Sequence, residues 1–243
     1  MTRFQSIASS VAFLAAAFAT PATAAEIVFT STGSQSGAGQ VFSDGATNVR
    51  VSSWSISNGM IGNAPLNIWS QGAGILNGRR GDSHTIDNGG SLDFLVLQFD
   101  RMVRLTDAEF RTGFHNMNDT DATIGYANTA TNFLRQPALN GASLVSLRAI
   151  GNLYASNSAN GNSIRNVNPD GYTANTWLIG ASFDNPDTHR DGFKLRSVAF
   201  DTVDVTAPVP EPATWALMLL GFAAIGGAMR SGKAKGTTTV AYT

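Results

Sequence analysis

Ser91-Leu92-Asp93-Phe94-Leu95-Val96-Leu97-Gln98-Phe99-Asp100 decides the fold. A strand turns successive side chains to opposite faces, so Leu92, Phe94, Val96 and Gln98 share one face and Asp93, Leu95, Leu97 and Phe99 the other. Both sets are largely apolar, which a strand tolerates where both faces are covered, so this segment is predicted to be a central strand. The next run, Val103–Phe114, points Val103 and Leu105 inward. Ala108, Phe110 and Thr112 continue inward after a one-residue shift near Thr106-Asp107, which predicts a bulge or a short turn.

Outward from these segments, alternation and β-branched or aromatic enrichment mark Glu26–Thr30, Val49–Ser57, Leu66–Ser70, Ala122–Ala127, Leu144–Tyr154, Thr176–Phe183 and Gly192–Val205 as further strands. Turn chemistry separates them at Asp44-Gly45, Asn58-Gly59, Asn77-Gly78, Asn88-Gly89-Gly90, Asn140-Gly141, Asn160-Gly161 and Asp170-Gly171. A body rich in Gly, Asn, Ser and Thr and poor in Lys, Glu and Leu disfavours helices. About nine strands at this spacing predict an all-β fold, an antiparallel β-sandwich of the jelly-roll kind. The plausible helical content lies in Thr129–Ala142, where Pro137 cuts it short. Asn157–Asn175, nearly all small and polar, reads as a long exposed loop. Trp54 and Trp177 alternate into the core, Tyr172 belongs at the surface, and Trp69 is among the aromatics a sugar ring could stack on.

The chain starts with Arg3, an apolar run from Ile7 to Ala19, and Thr20-Pro21-Ala22-Thr23-Ala24-Ala25. A short cationic region, an apolar stretch of about 13 residues and small residues at −3 and −1 make a secretory signal peptide. Cleavage after Ala24, with Ala22 and Ala24 as the small residues, removes residues 1–24 by the general secretory machinery and leaves a folded segment over residues 25–207. There is no cysteine, so thiol chemistry and cysteine-bound zinc are excluded, and stability must come from core burial. Between Glu26 and Ala207 there are 12 Arg and Lys against 16 Asp and Glu. This mildly acidic balance, with no basic run, argues against a nucleic-acid partner.

Three histidines, His84, His115 and His189, form no metalloprotease pattern, and neither a nucleophile elbow nor a phosphate loop is present. The expectation is a protein that is not an enzyme. Two loops are acid-rich: Asp82-Ser83-His84-Thr85-Ile86-Asp87-Asn88 and His115-Asn116-Met117-Asn118-Asp119-Thr120-Asp121. Clustered Asp and Asn oxygens supply the hard ligands calcium takes, and Asn118, Asp119 and Asp121 are the candidate ligands. The same residues serve equally as turn formers that accept bonds from nearby amides.

After Val205, Pro208, Pro210 and Pro212 remove amide donors and stop the sheet. Residues 213–229 are apolar, about 25 Å as a helix and at the short end for a transmembrane span. Trp215 would lie at the headgroups, with Arg230, Lys233 and Lys235 on the cytoplasmic side. Val209-Pro210-Glu211-Pro212-Ala213-Thr214-Trp215-Ala216, followed by a glycine-containing apolar helix and basic residues, closely resembles the PEP-CTERM sorting signal in its Trp-Ala variant. That resemblance implies processing by an exosortase, a membrane-embedded transpeptidase-like enzyme of Gram-negative bacteria. Pro210, Glu211 and Pro212 would be its recognition motif, supported by Trp215, Ala216 and Arg230. It further implies a precursor held transiently in the inner membrane by residues 208–243, then a cell-surface or matrix protein with a structural or adhesive role beside exopolysaccharide. A fainter likeness to exosortase-dependent surface proteins runs through Ser83–Asn88, Phe94–Asp100, Trp177–Ala181 and Asp191-Gly192-Phe193-Lys194-Leu195. The alternative is a calcium-dependent, lectin-like carbohydrate-binding module.

Overall fold

The computed structural model describes residues 24–32, 35–37, 39–76, 84–112, 119–130, 133–156, 161–185, 187–203, 212–231 and 241. It divides into two compact units, Met1–Val203 and Asp204–Thr243. In the first, the strands β1 (Ala25–Val28), β2 (Gln35–Gly37), β3 (Gln40–Ser43), β4 (Asn48–Ser57), β5 (Met60–Asn63), β6 (Leu66–Trp69) and β7 (Gly72–Ile75) lead to β8 (Ile86–Asp87), β9 (Leu92–Arg111) and β10 (Ala122–Ala127). A short helix, α1 (Leu144–Ile150), precedes β11 (Asn152–Ser156), β12 (Ser163–Asn166), β13 (Ala174–Ala181) and β14 (Gly192–Thr202). The second unit contains the helix α2 (Pro212–Ser231).

The central strand is where its alternation predicts. The first half of β9 is flanked by β4, from Leu92 opposite Ile56 to Phe99 opposite Val49, and by β13, from Phe94 opposite Gly180 to Gln98 opposite Thr176. Its two faces enter two different apolar clusters. Leu95, Leu97 and Phe99 join the main core with Val49, Val51, Ile124, Trp177 and Ile179. Phe94 and Val96 join a second cluster with Trp54, Ile56, Leu178 and Leu147 of α1. Each large apolar side chain fully buried in this way contributes about 1.5–3 kcal/mol. Both tryptophans expected in the core are there, Trp54 at 2% exposure and Trp177 at 0%.

Where two strands were expected, Ser91–Asp100 and Val103–Phe114, the chain runs as one strand of twenty residues. Its second half pairs with β14 on one side and β12 on the other. The predicted irregularity is present as a register shift: Ala199 faces Asp107 and Phe200 faces Leu105, so Thr106 has no opposite residue. That extra residue keeps Leu105 and Ala108 both in the main core. Because β9 belongs to both halves, fourteen strands form one connected antiparallel network, in place of the two separate sheets of a jelly-roll sandwich. Asn58-Gly59 makes the expected two-residue hairpin turn between β4 and β5, with φ of 51° and 77° as a turn of this hand requires.

Two expectations are corrected. Leu144–Tyr154 is not one strand: its first half is α1, capped by Ser143, whose Oγ accepts from the Ser146 amide at 3.1 Å, and only the residues from Asn152 are extended. Leu144 and Leu147, one helical turn apart, pack on the second apolar cluster, and that burial overrides the β-branched local sequence. Asn157–Asn175 is not all exposed loop, since β12 pairs with β9 from within it and Val167 and Asn168 are buried. Asn168 closes the following turn by donating Nδ2 to the Tyr172 carbonyl at 2.8 Å and accepting the Tyr172 amide at 2.9 Å. Tyr172 is 39% exposed and stacks on Tyr126 with ring centres 4.3 Å apart.

The signal segment lies outside the described residues up to Thr23, with Ala24 exposed before β1; Ala22 falls among the residues not described. Among the described residues no helix is long and apolar enough to cross a membrane. The helix expected over residues 213–229 is present, as α2.

Candidate functional site

The acidic loop before β10 meets the start of β14 at one end of the sheet. The Asp119 carbonyl accepts the Gly192 amide at 3.0 Å, and Asp119 and Asp191 form an isolated parallel bridge. The Asp121 carbonyl accepts the Ser182 amide at 3.0 Å, just beyond β13. Asn88 ties in the turn after β8: its Oδ1 accepts the Asp191 amide at 3.1 Å, and its Nδ2 donates to Asp191 Oδ2 and, at 3.4 Å, to the Ser182 carbonyl. Four separated stretches of chain therefore converge on one corner.

Three carboxylates occupy that corner. Asp119, Asp121 and Asp191 are 6%, 5% and 0% exposed, and each offers an oxygen within 4.8 Å of the others. Asp119 also belongs to a second, more open group with Asp187 and His189, in which His189 Nδ1 lies 3.1 Å from Asp187 Oδ2. Burial is the largest cause that raises the Asp191 carboxyl, to about 7; the charges of Asp119, Asp121 and Asp187 add to it and the Asn88 hydrogen bond opposes it. Burial likewise raises Asp119; the Asp121 amide offsets part of that, and the Asp121 and Asp187 charges add to it. The partner pair is opposite in sense: the His189 hydrogen bond holds Asp187 low, and Asp187 raises His189.

Arg165, a buried cation whose charge acts on the cluster, spends its donors on other groups. Arg165 on β12 lies over the Phe110 ring at 3.9 Å. Its Nε donates to Ser156 Oγ, its Nη1 to Thr120 Oγ1 and Ser163 Oγ, and its Nη2 to the Thr120 and Ser156 carbonyls. A guanidinium has five N–H donors, so every one is committed to a hydroxyl or carbonyl oxygen. Burial lowers its pKa to about 10, with the charges of Asp121, Asp119 and Asp191 resisting the shift.

Of the candidate metal ligands, Asp119 and Asp121 are brought together, and Asn118 lies outside the described residues. In the other acid-rich loop Asp87 is a turn former, accepting the Gly89 amide at 2.8 Å on Oδ1 and the Thr85 hydroxyl at 3.1 Å on Oδ2. Asp82, Ser83 and His115 are outside the described residues. Asp191 was not among the candidates. Its signal was the acid-rich run Asp184-Asn185-Pro186-Asp187-Thr188-His189-Arg190-Asp191 ahead of β14, a third loop of the same composition.

In the C-terminal unit, Pro210 and Glu211 are not described, Pro212 opens α2, and Ala216 and Arg230 are exposed on it; the Trp215 side chain is not described. Leu217, Leu219, Leu220, Phe222, Ile225 and Met229 are all at least 59% exposed. At 100° per residue they fall on every side of the helix, leaving no polar face of the kind a helix lying on a soluble sheet would carry.

Fold and tail together define an antiparallel β-domain joined to a separate, all-round apolar C-terminal helix. The tail is specific: residues 208–233 match the family model described as the PEP-CTERM protein-sorting motif, so the chain carries that signal at its C-terminus and is consistent with an exosortase-sorted protein. No curated protein and no solved structure matches the chain.

Proposed function

We propose that this chain is an exported precursor whose β-domain is released at the cell surface when an exosortase cuts at or near Pro210-Glu211-Pro212. The match at residues 208–233 carries this reading, and it supports exosortase as the processing partner. In the precursor, the tail that carries the motif, residues 208–243, holds the chain transiently at the membrane. Arg230 in the last turn of α2, with Lys233 and Lys235 beyond, sets the C-terminus on the cytoplasmic side. An N-terminal signal peptide delivering the body outward fits that orientation. Mass spectrometry of surface material should find a mature chain beginning at Ala25 or Glu26 and lacking α2; intact residues 230–243 on the released form would overturn the reading.

The domain's own role is a non-catalytic, structural or adhesive one in an exopolysaccharide matrix. The lectin-like alternative draws support from Trp69, 48% exposed at the β6–β7 hairpin, whose ring is free to stack on a sugar. A glycan array run with and without chelator separates the two: chelator-sensitive retention favours the lectin, and silence favours the structural role.

A further inference from the structure

We propose that Asp119, Asp121 and Asp191 bind a calcium ion that ties the starts of β10 and β14 together. The three carboxylates converge within 4.8 Å although each is more than nine-tenths buried. Like charges held this close out of solvent are relieved either by protons or by a counter-charge in contact with them. Arg165, a buried cation beside them, has all five donors committed elsewhere.

A second observation, independent of the cluster's acidity, points to a ligand. Asp191 is fully buried and its Oδ2 accepts from Asn88, yet its Oδ1 has no hydrogen-bond partner. Buried polar atoms are satisfied in all but a few cases, and a bare oxygen on a carboxylate that belongs to a three-carboxylate cluster is one a bound cation would satisfy.

The donor set selects the ion. All three ligands are hard oxygens, which suit calcium, magnesium or manganese in preference to zinc or copper. Magnesium keeps most of its waters and is held through one or two carboxylates, whereas calcium takes six to eight oxygens in flexible geometry. Three carboxylates on irregular chain at strand ends, with Asp187 adjoining Asp119 on the open side, match the calcium pattern. The Asp119–Asp187–His189 group would take a softer ion through its imidazole, but two of its three members are exposed and already paired to each other.

The ion would close a long-range link. Asp119 and Asp121 lead into β10, Asp191 leads into β14, and Asn88 holds Asp191 to the turn after β8. Calcium in the millimolar range outside a cell would thus lock the domain after export, with a dissociation constant of about 0.1–1 mM as in extracellular modules.

The test uses the full chain stripped with chelator. Calorimetric titration with calcium chloride should give one binding event, and calcium should raise the melting temperature by several degrees where magnesium does little. Asp119→Asn and Asp191→Asn should each abolish the calcium heat while melting higher than the parent in chelator, because removing one charge relieves the repulsion. Should Asp191→Asn fail to fold, Asp121→Asn carries the same expectation. Absence of heat up to about 10 mM calcium, well above the range of extracellular sites, would overturn the proposal. So would a variant that is destabilised equally with and without calcium, which marks a purely structural hydrogen-bond role. A response confined to zinc and lost in His189→Ala would also overturn it, by locating the site in the open group.

Discussion

The apolar residues of β9 and those of α2 are alike in composition and opposite in fate. Phe94, Leu95 and Leu97 are 0% exposed, whereas Leu217, Leu219 and Phe222 are at least 65% exposed. In β9 the period is two, and each face meets its own apolar cluster. In α2 the apolar side chains point in every direction, so no single protein surface could cover them. The lesson is that hydrophobicity alone does not say whether a segment belongs to a core. Periodicity and neighbouring polar groups decide that, and here they separate a strand that is buried on both faces from a helix whose apolar residues stay exposed.

The largest difference between the two segments is expected at the aromatic of the central strand. Phe94→Ala should cost about 3–5 kcal/mol of domain stability by leaving a cavity against Phe183, its edge-on partner at 5.9 Å. Phe222→Ala should leave the domain's denaturant midpoint unchanged within about 0.5 kcal/mol. Equal losses from the two substitutions would erase the distinction.

The glycine opposite Phe94 of β9 and a glycine of α2 should differ in the same sense. A Cβ at Gly180 would sit 2.7 Å from Phe94 Cβ and 3.0 Å from the Asp93 carbonyl, so Gly180→Ala should destabilise by about 1–3 kcal/mol through overpacking. A Cβ at Gly226 of α2 meets nothing within 4 Å, and Gly226→Ala should be silent in the same denaturation assay.

A smaller effect is expected at the cap of α1. Ser143→Ala removes the acceptor of the Ser146 amide and should cost about 1 kcal/mol, read as a shift in midpoint without a change in slope.

The gentlest probe is pH in the presence of chelator. The Asp191 carboxyl is raised in the folded state from 3.8 to about 7. A raised pKa means the folded form binds the proton more tightly than the unfolded chain. The resulting stability is therefore fully present below pH 3.8 and is lost as pH rises through about 7. Between these limits the Asp191 contribution should lower the melting temperature progressively, and Asp191→Asn should flatten that part of the profile; an unchanged profile would contradict the burial of this carboxyl.

Much of the β-domain is legible in local sequence. The two faces of Leu92–Phe99, the slip at Thr106, the Asn58-Gly59 hairpin and the burial of Trp54 and Trp177 all follow from alternation or turn chemistry, which are local properties. The helix α1 was not, because Leu144, Val145, Leu147 and Ile150 suit either period and the choice fell to packing against Trp54 and Phe94. The short strands β2, β3, β5, β7, β8 and β12 also escaped, being two to four residues long and defined by their partners. In the candidate site Asp119 and Asp121 stood out as neighbours in sequence, while Asp191 did not.

By itself, the amino-acid sequence determined the antiparallel class, the central strand, the absence of thiol chemistry and the C-terminal sorting motif, since each depends on residue types at short spacing. Tertiary structure alone decided that β9 runs unbroken through both halves of the network and that Asp191 closes the carboxylate corner. The reason is physical: side-chain period reports whether a face is covered, but which distant strand ends meet depends on register and pairing across the whole sheet.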